Sequence, residues 1–204
     1  SISMATIAEI PVVIIDVMRA GPSTGMATKV EQSDIRYAIA SGHGDAEKIV
    51  LAASSIEDCY YITQEAFNLA EEFQTPVIVL SDLQFGMCKQ SVPAFDLHRV
   101  GIERGKLIRE GLPELDTKKK EYFHRFEDVE DGISPRTIPG VKNGMFLSTG
   151  LEHNVFGKPA EGQADRVMEM NKRHRKFAGV AKAIQPFTVA HEDTDCDLLL
   201  IGVT

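Results

Sequence analysis

Arg19 is the residue most able to do chemistry. It follows the apolar run at residues 12–17 and precedes a turn of small residues, Gly21-Pro22-Ser23-Thr24-Gly25. A guanidinium held at one place pairs in a two-pronged way with a carboxylate or a phosphate. A surface salt bridge to Asp16 or Asp34 would use the same group, and the residues alone leave both readings open. The glycines of the turn allow close approach of a ligand, and its hydroxyls and N–H groups can face an anion. The turn lacks both the GK[ST] ending of a Walker loop and GxGxxG spacing. Taken by itself, a plain structural turn is its stronger reading. His43 in SGHGD and His153 in GLEH could carry a proton near neutral pH or could be hydrogen-bonded structural residues. Isolated histidines do not make a metal site. Asp82, at the end of an apolar run, reads as the cap of the next turn.

The surrounding pattern must position these groups. Residues 12–17 form an almost unbroken β-branched run, which predicts a strand buried on both faces of a parallel sheet. In such sheets the ligand crevice lies beyond the C-terminal ends of the strands, and residues 18–28 fall there. Residues 1–9 predict the end of a helix, stopped by Pro11. Residues 31–40 predict a short helix and 49–52 a strand. Ser54 and Glu57 have the spacing of a capping box. The helix that follows would put Ile56, Cys59, Tyr60, Thr63, Phe67, Ala70 and Phe73 on one face. Thr75-Pro76 ends it, and residues 77–80 predict another strand. Strand, helix and strand on short links give a parallel crossover. The fold class is therefore α/β, a parallel sheet with flanking helices.

From about residue 92 the pattern changes. Residues 92–131 are charged and lack a strong period, which predicts an extended arm; the run Lys118-Lys119-Lys120 reads as a solvated face. Residues 132–157 are rich in glycine and proline. Residues 161–177 predict a polar helix, 180–186 a linker, and 198–203 the start of a new sheet. This divides the chain into an α/β domain over 1–91, an arm over 92–185 and the opening of a C-terminal α/β domain over 186–204. Both ends fall inside apolar segments, so the chain reads as an excerpt of something longer.

Composition narrows the function. The chain has 204 residues, 43% hydrophobic and 25% charged, which suits a soluble domain with a real core. A formal net charge of -8 argues against nucleic acid as a main partner. No apolar run is long enough to span a bilayer, and the N-terminus has no basic leader. Cys59, Cys88 and Cys196 are far apart, with no CxxC, so neither a disulfide framework nor a cysteine-held cluster is expected. A reducing, cytoplasmic setting fits.

The segment IPVVIIDVMRAGPSTGMATKVEQSD closely resembles the VDVxRxGPSTGxPTKxEQxD signature of the alpha subunit of 2-oxoacid:ferredoxin oxidoreductases of the 2-oxoglutarate type. SGHGD is similar to that family's GxHGD loop, and EAFNLAEEFQTPVIVLSD to its helix–strand block. FEDVEDGISPRTIPG and STGLEHNVFGKPAE resemble its later segments, in the same order. Ala27 departs from the pattern, where the family usually has proline. The resemblance implies a thiamine-diphosphate enzyme that oxidatively decarboxylates a 2-oxo acid, hands the acyl group to coenzyme A and sends electrons to ferredoxin. It implies a pyrimidine-binding domain in this chain. The beta subunit would supply the pyrophosphate and magnesium site and an iron–sulfur cluster, in a dimer of the heterodimer. Arg19 would hold the substrate carboxylate. Gly21, Pro22, Ser23, Thr24 and Gly25 would line the cofactor and substrate pocket, with His43 and Asp45 close by or at the interface. The arm would reach over the partner subunit. The family's YPITP-type segment and its pyrimidine-activating acid would lie upstream of Ser1, so this chain alone should not be catalytic. The residues by themselves leave two other readings open, a non-catalytic anion- or nucleotide-binding module and a scaffold subunit.

Overall fold

The computed structural model describes residues 2–116 and 122–184, together with the single positions Leu198, Gly202 and Val203. The triple lysine lies outside the described residues, as does the expected C-terminal domain apart from those three positions. The elements run α1 (Ile2–Ile7), β1 (Val12–Met18), α2 (Ile35–Ala40), β2 (Ile49–Ala52), α3 (Ile56–Phe73), β3 (Pro76–Asp82), α4 (Leu83–Met87), β4 (Leu107–Ile108), β5 (Arg136–Thr137) and α5 (Gln163–Ala183).

The main sheet has the order β1-β3-β2 and is parallel throughout, in register from Val12 beside Pro76 to Met18 beside Asp82. β3 lies in the middle and every one of its residues is buried. Its side chains alternate between two cores, as a period of two requires. Val77 and Val79 pack with Ile49, Leu51, α3 and Val180, whereas Ile78 and Leu80 pack with Met18 and Ala38. Helices therefore cover both faces, α3 and α5 on one, α1 and α2 on the other.

Three local expectations are corrected. β1 is an edge strand, not one buried on both faces. Ile15 keeps 57% and Val17 45% of their surface, because β3 is the only strand beside β1 among the described residues. The α3 cap sits one residue later than Ser54. Ser55 Oγ accepts the Asp58 N–H at 3.0 Å, and Asp58 Oδ2 accepts from the Ser54 N–H at 2.7 Å. The acid that closes the motif is thus Asp58 rather than Glu57. The buried face of α3 also differs. Tyr61, Ala66, Leu69, Ala70 and Phe73 are buried while Phe67 is exposed, because the small Ala66 and Ala70 let the helix lie close on the sheet. Gln74, with φ +49°, then turns the chain into Pro76.

Residues 88–116 hold little regular structure and are fastened along α3. Tyr61 Oη accepts the Asp96 N–H at 2.8 Å, and Phe95 stacks on Tyr60 at 4.1 Å. The amide of Asn68 donates to the Gly101 carbonyl at 2.7 Å and accepts from the Glu103 N–H at 3.0 Å. Arg104 and Arg136 both pair with Glu71. β4 and β5 then pair in parallel. α5 runs to Ala183, through the residues expected to open a linker. It persists because Val180 is buried in the core and Gly179 lets the helix come close to the Phe73 ring.

Candidate functional site

The end of β1 fixes Arg19 from both sides. Met18 and Ala20 are buried, at 0% and 1% exposure, so the backbone between them is held. The Ala20 N–H donates to the Lys29 carbonyl at 3.1 Å, and the Met26 N–H donates to the Ala20 carbonyl at 3.0 Å. Ser33 Oγ donates to the Arg19 carbonyl at 2.6 Å. These bonds close the neck of a loop whose residues 21–30 are all exposed. The half-buried Arg19 side chain makes no salt bridge or hydrogen bond with any described residue. Asp16 and Asp34 do not neutralise it. Burial, together with the charge of Asp34, instead pushes the Asp16 carboxyl above the usual carboxylate range. The arrangement is an unpaired cation on a held backbone, beside exposed backbone and hydroxyls at the carboxyl end of a parallel strand. It can seat an anion, and a ligand there is enclosed only once something else covers it.

Gly25 is required by space as well as by conformation. Its φ is +47°, and an added Cβ would lie 2.1 Å from the Ala20 carbonyl oxygen. Gly25→Ala is expected to loosen the neck by about 1–2 kcal/mol. The readout is faster hydrogen exchange at the Met26 and Lys29 amides; unchanged exchange would show that the turn tolerates a side chain.

His43 and Asp45 are placed elsewhere in this chain. Their loop leads into the start of β2, whereas Arg19 leaves the end of β1. The His43 N–H donates to Ser3 Oγ at 3.1 Å, which ties the loop to α1. Both residues line a cavity of about 320 Å³ between α1 and α5, with Thr6, Arg166 and Met170. No hydrogen bond or ion pair joins them to Arg19 or to the turn among the described residues. His153 is a core residue. It is fully buried, its Nδ1 lies 3.0 Å from the Leu151 carbonyl oxygen and its ring packs on Phe126 at 4.0 Å. Burial lowers its basicity. Asp82 caps α4, with its Oδ1 accepting the Phe85 N–H at 3.0 Å.

The sequence reading missed a buried charge network. Glu9, at the turn into β1, receives Lys172 Nζ at 2.8 Å and Lys176 Nζ at 3.1 Å, and its carbonyl accepts from Arg125 at 2.7 Å. Glu169 sits 3.0 Å from the same Lys172. Arg173 reaches Glu152 at 2.8 Å. Residues 169, 172, 173 and 176 follow the i, i+3, i+4, i+7 spacing of a core stripe, but with charges in place of apolar side chains. That spacing was the available signal. The network fastens α5 to the sheet and does not meet Arg19. Among the described residues, no group of three or more His, Cys, Asp or Glu side chains could hold a metal ion, and no helix is long and apolar enough to cross a membrane.

Comparison with known proteins bears on this site. The family model for pyruvate flavodoxin/ferredoxin oxidoreductase, thiamine diphosphate-binding, matches residues 1–173. The chain is 43% identical, over 99% of its own length, to 2-oxoacid:ferredoxin oxidoreductase 2, subunit alpha, of Aeropyrum pernix. It is 53% identical, over 79% of its length, to 2-oxoglutarate synthase subunit KorA of Archaeoglobus fulgidus. It spans 30% of the first relative and 52% of the second. Among solved structures, it is similar to 2-oxoglutarate:ferredoxin oxidoreductase from Magnetococcus marinus with 2-oxoglutarate, coenzyme A and succinyl-CoA bound. That match has a TM-score of 0.81 and 37% identity, and covers 91% of this chain and 31% of that one.

Proposed function

The chain belongs to the thiamine diphosphate-binding family of pyruvate flavodoxin/ferredoxin oxidoreductases, and on that footing we propose that it forms part of the alpha subunit of an enzyme that oxidatively decarboxylates a 2-oxo acid. The substrate favoured by its relatives' names is 2-oxoglutarate. The product is an acyl-CoA and the electron acceptor is ferredoxin. In this reading residues 1–91 are the pyrimidine-binding unit, 92–185 an arm toward a beta subunit and 186–204 the beginning of a further domain. The beta subunit holds the pyrophosphate, magnesium and an iron–sulfur cluster, the assembly is a dimer of heterodimers, and it works in the cytoplasm.

The observation that carries the reading is the unpaired Arg19 at the end of β1. A 2-oxo acid is an anion, and a fixed planar cation orients it. The residues of the turn fit one side of a thiamine diphosphate site. Gly21 is open around its Cβ position, with Ser33 Oγ nearest at 3.9 Å, so backbone can approach a flat ring there. Ser23 and Thr24 offer exposed hydroxyls, and the loop stays open for a second subunit to cover. Thiamine diphosphate, when bound, supplies the carbon nucleophile and the electron sink. This chain holds the substrate carboxylate with Arg19 and shapes one wall with residues 21–25.

Co-expression with a candidate beta subunit, followed by viologen- or ferredoxin-linked reduction across a panel of 2-oxo acids, tests this. CoA-dependent reduction that requires both chains is expected, fastest with 2-oxoglutarate. A chain that binds ATP or phosphate tightly without a partner and supports no reduction would instead be an anion-binding module.

A further inference from the structure

We propose that Ser33 is a positioning residue for Arg19, setting where its guanidinium meets the substrate carboxylate; this rests on the reading of Arg19 given above. Ser33 lies 14 residues along the chain and donates its hydroxyl to the Arg19 carbonyl at 2.6 Å. It is exposed and packs into neither core. The Arg19 side chain has no partner among the described residues, so nothing at its tip steadies it. Its location therefore depends on the restraints on its backbone. Strand pairing reaches only Met18, beside Asp82. The next restraints are the bonds of Ala20 to Met26 and Lys29. Between them, Ser33 Oγ holds the carbonyl of the Arg19–Ala20 peptide, whose N–H is held by the Lys29 carbonyl. A small swing of that peptide becomes a large displacement at the end of a long side chain, and misplacement on the order of 1 Å is costly for an oriented substrate. Ser33 falls at the unspecified position of the signature VDVxRxGPSTGxPTKxEQxD.

The test uses the assembled oxidoreductase with its partner subunit. Ser33→Ala is expected to raise KM for the 2-oxo acid about two- to tenfold, the worth of one hydrogen bond. Little change in kcat, in thiamine diphosphate affinity or in the urea midpoint is expected. Ser33→Thr, which keeps the hydroxyl, restores KM. In an Arg19→Ala background Ser33→Ala adds nothing, since the group it positions is gone. A Ser33→Ala effect of the same size with and without Arg19, or no effect while Arg19→Ala weakens substrate use, would overturn the positioning role alone. If Arg19→Ala leaves substrate use intact, the substrate-binding reading fails and this role fails with it.

Discussion

In the proposed assembly with a beta subunit, Arg19→Ala is expected to lower kcat/KM for the 2-oxo acid by about 10²–10³-fold and to leave thiamine diphosphate affinity unchanged. A hydrogen bond to a charged group is worth about 1.5–3 kcal/mol. The guanidinium can make two at once with one carboxylate. A total of about 3–4 kcal/mol corresponds to the stated fold-change at 1.36 kcal/mol per factor of ten. The charge balance sharpens the need. The chain carries a formal net charge of -8, and burial, together with the charge of Asp34, disfavours ionisation of Asp16. Toward this chain an anion meets an unfavourable average charge, which a dedicated cation offsets locally. Arg19→Lys keeps the charge and loses the fork, and should fall between wild type and alanine, about tenfold down. Unchanged kcat/KM in the alanine variant would remove Arg19 from the substrate site. A loss seen only in cofactor affinity would move it to the diphosphate.

The legible part of this chain is the part decided locally. β2, α3 and β3 follow from two short apolar runs, a long amphipathic stretch and Pro76, and their parallel pairing follows from the short links. What the sequence could not decide is who stands beside whom. The run at residues 12–17 predicts a strand equally well in the middle of a sheet or at its edge. Only the order β1-β3-β2 leaves Ile15 and Val17 uncovered. The α3 cap shows the same limit at short range. Ser54–Glu57 and Ser55–Asp58 share one spacing, and one residue of helix phase separates them. At the site, the break after residue 17 located Arg19 at a strand end. Its lack of a partner depends on where Asp34 lands after a long loop, which spacing does not encode. The expectation that His43 and Asp45 lie close to Arg19 or at the interface came from the family resemblance. In this chain His43 is bonded to α1. The stripe on α5 is visible in the sequence as the charge of a polar helix, but not as a buried network, because its acidic and aromatic neighbours, Glu9 and Phe126, are far away in sequence.

That stripe gives the largest expected effect on stability. Glu9→Gln should destabilise the chain by about 3–5 kcal/mol, the usual cost of breaking a buried ion pair from one side. Glu9 and Lys172 are both 0% exposed and Lys176 is 2% exposed, so the amide leaves two ammonium groups short of a counter-charge with no water to replace it. The remaining acid cannot substitute fully. Burial, together with the charge of Glu9 and only partly offset by Lys172 and Arg173, pushes the Glu169 carboxyl up to about 7. At Glu9 itself burial opposes ionisation, but Lys176, Lys172 and Arg125 outweigh it and hold the carboxyl well below the usual range. The two acids therefore shape the pH profile with opposite signs. The depressed Glu9 stabilises the fold in full above the ordinary carboxylate range, and this is lost as the pH falls below it. The raised Glu169 binds its proton more tightly in the folded state, so its contribution is present in acid and lost as the pH rises through about 7. Urea midpoints measured across that span should show Glu9→Gln flattening the acid limb and Glu169→Gln flattening the fall toward neutrality. If Glu9→Gln leaves the midpoint unchanged at neutral pH, α5 is held by Val180 against Phe73 instead, and the buried charges are tolerated rather than stabilising.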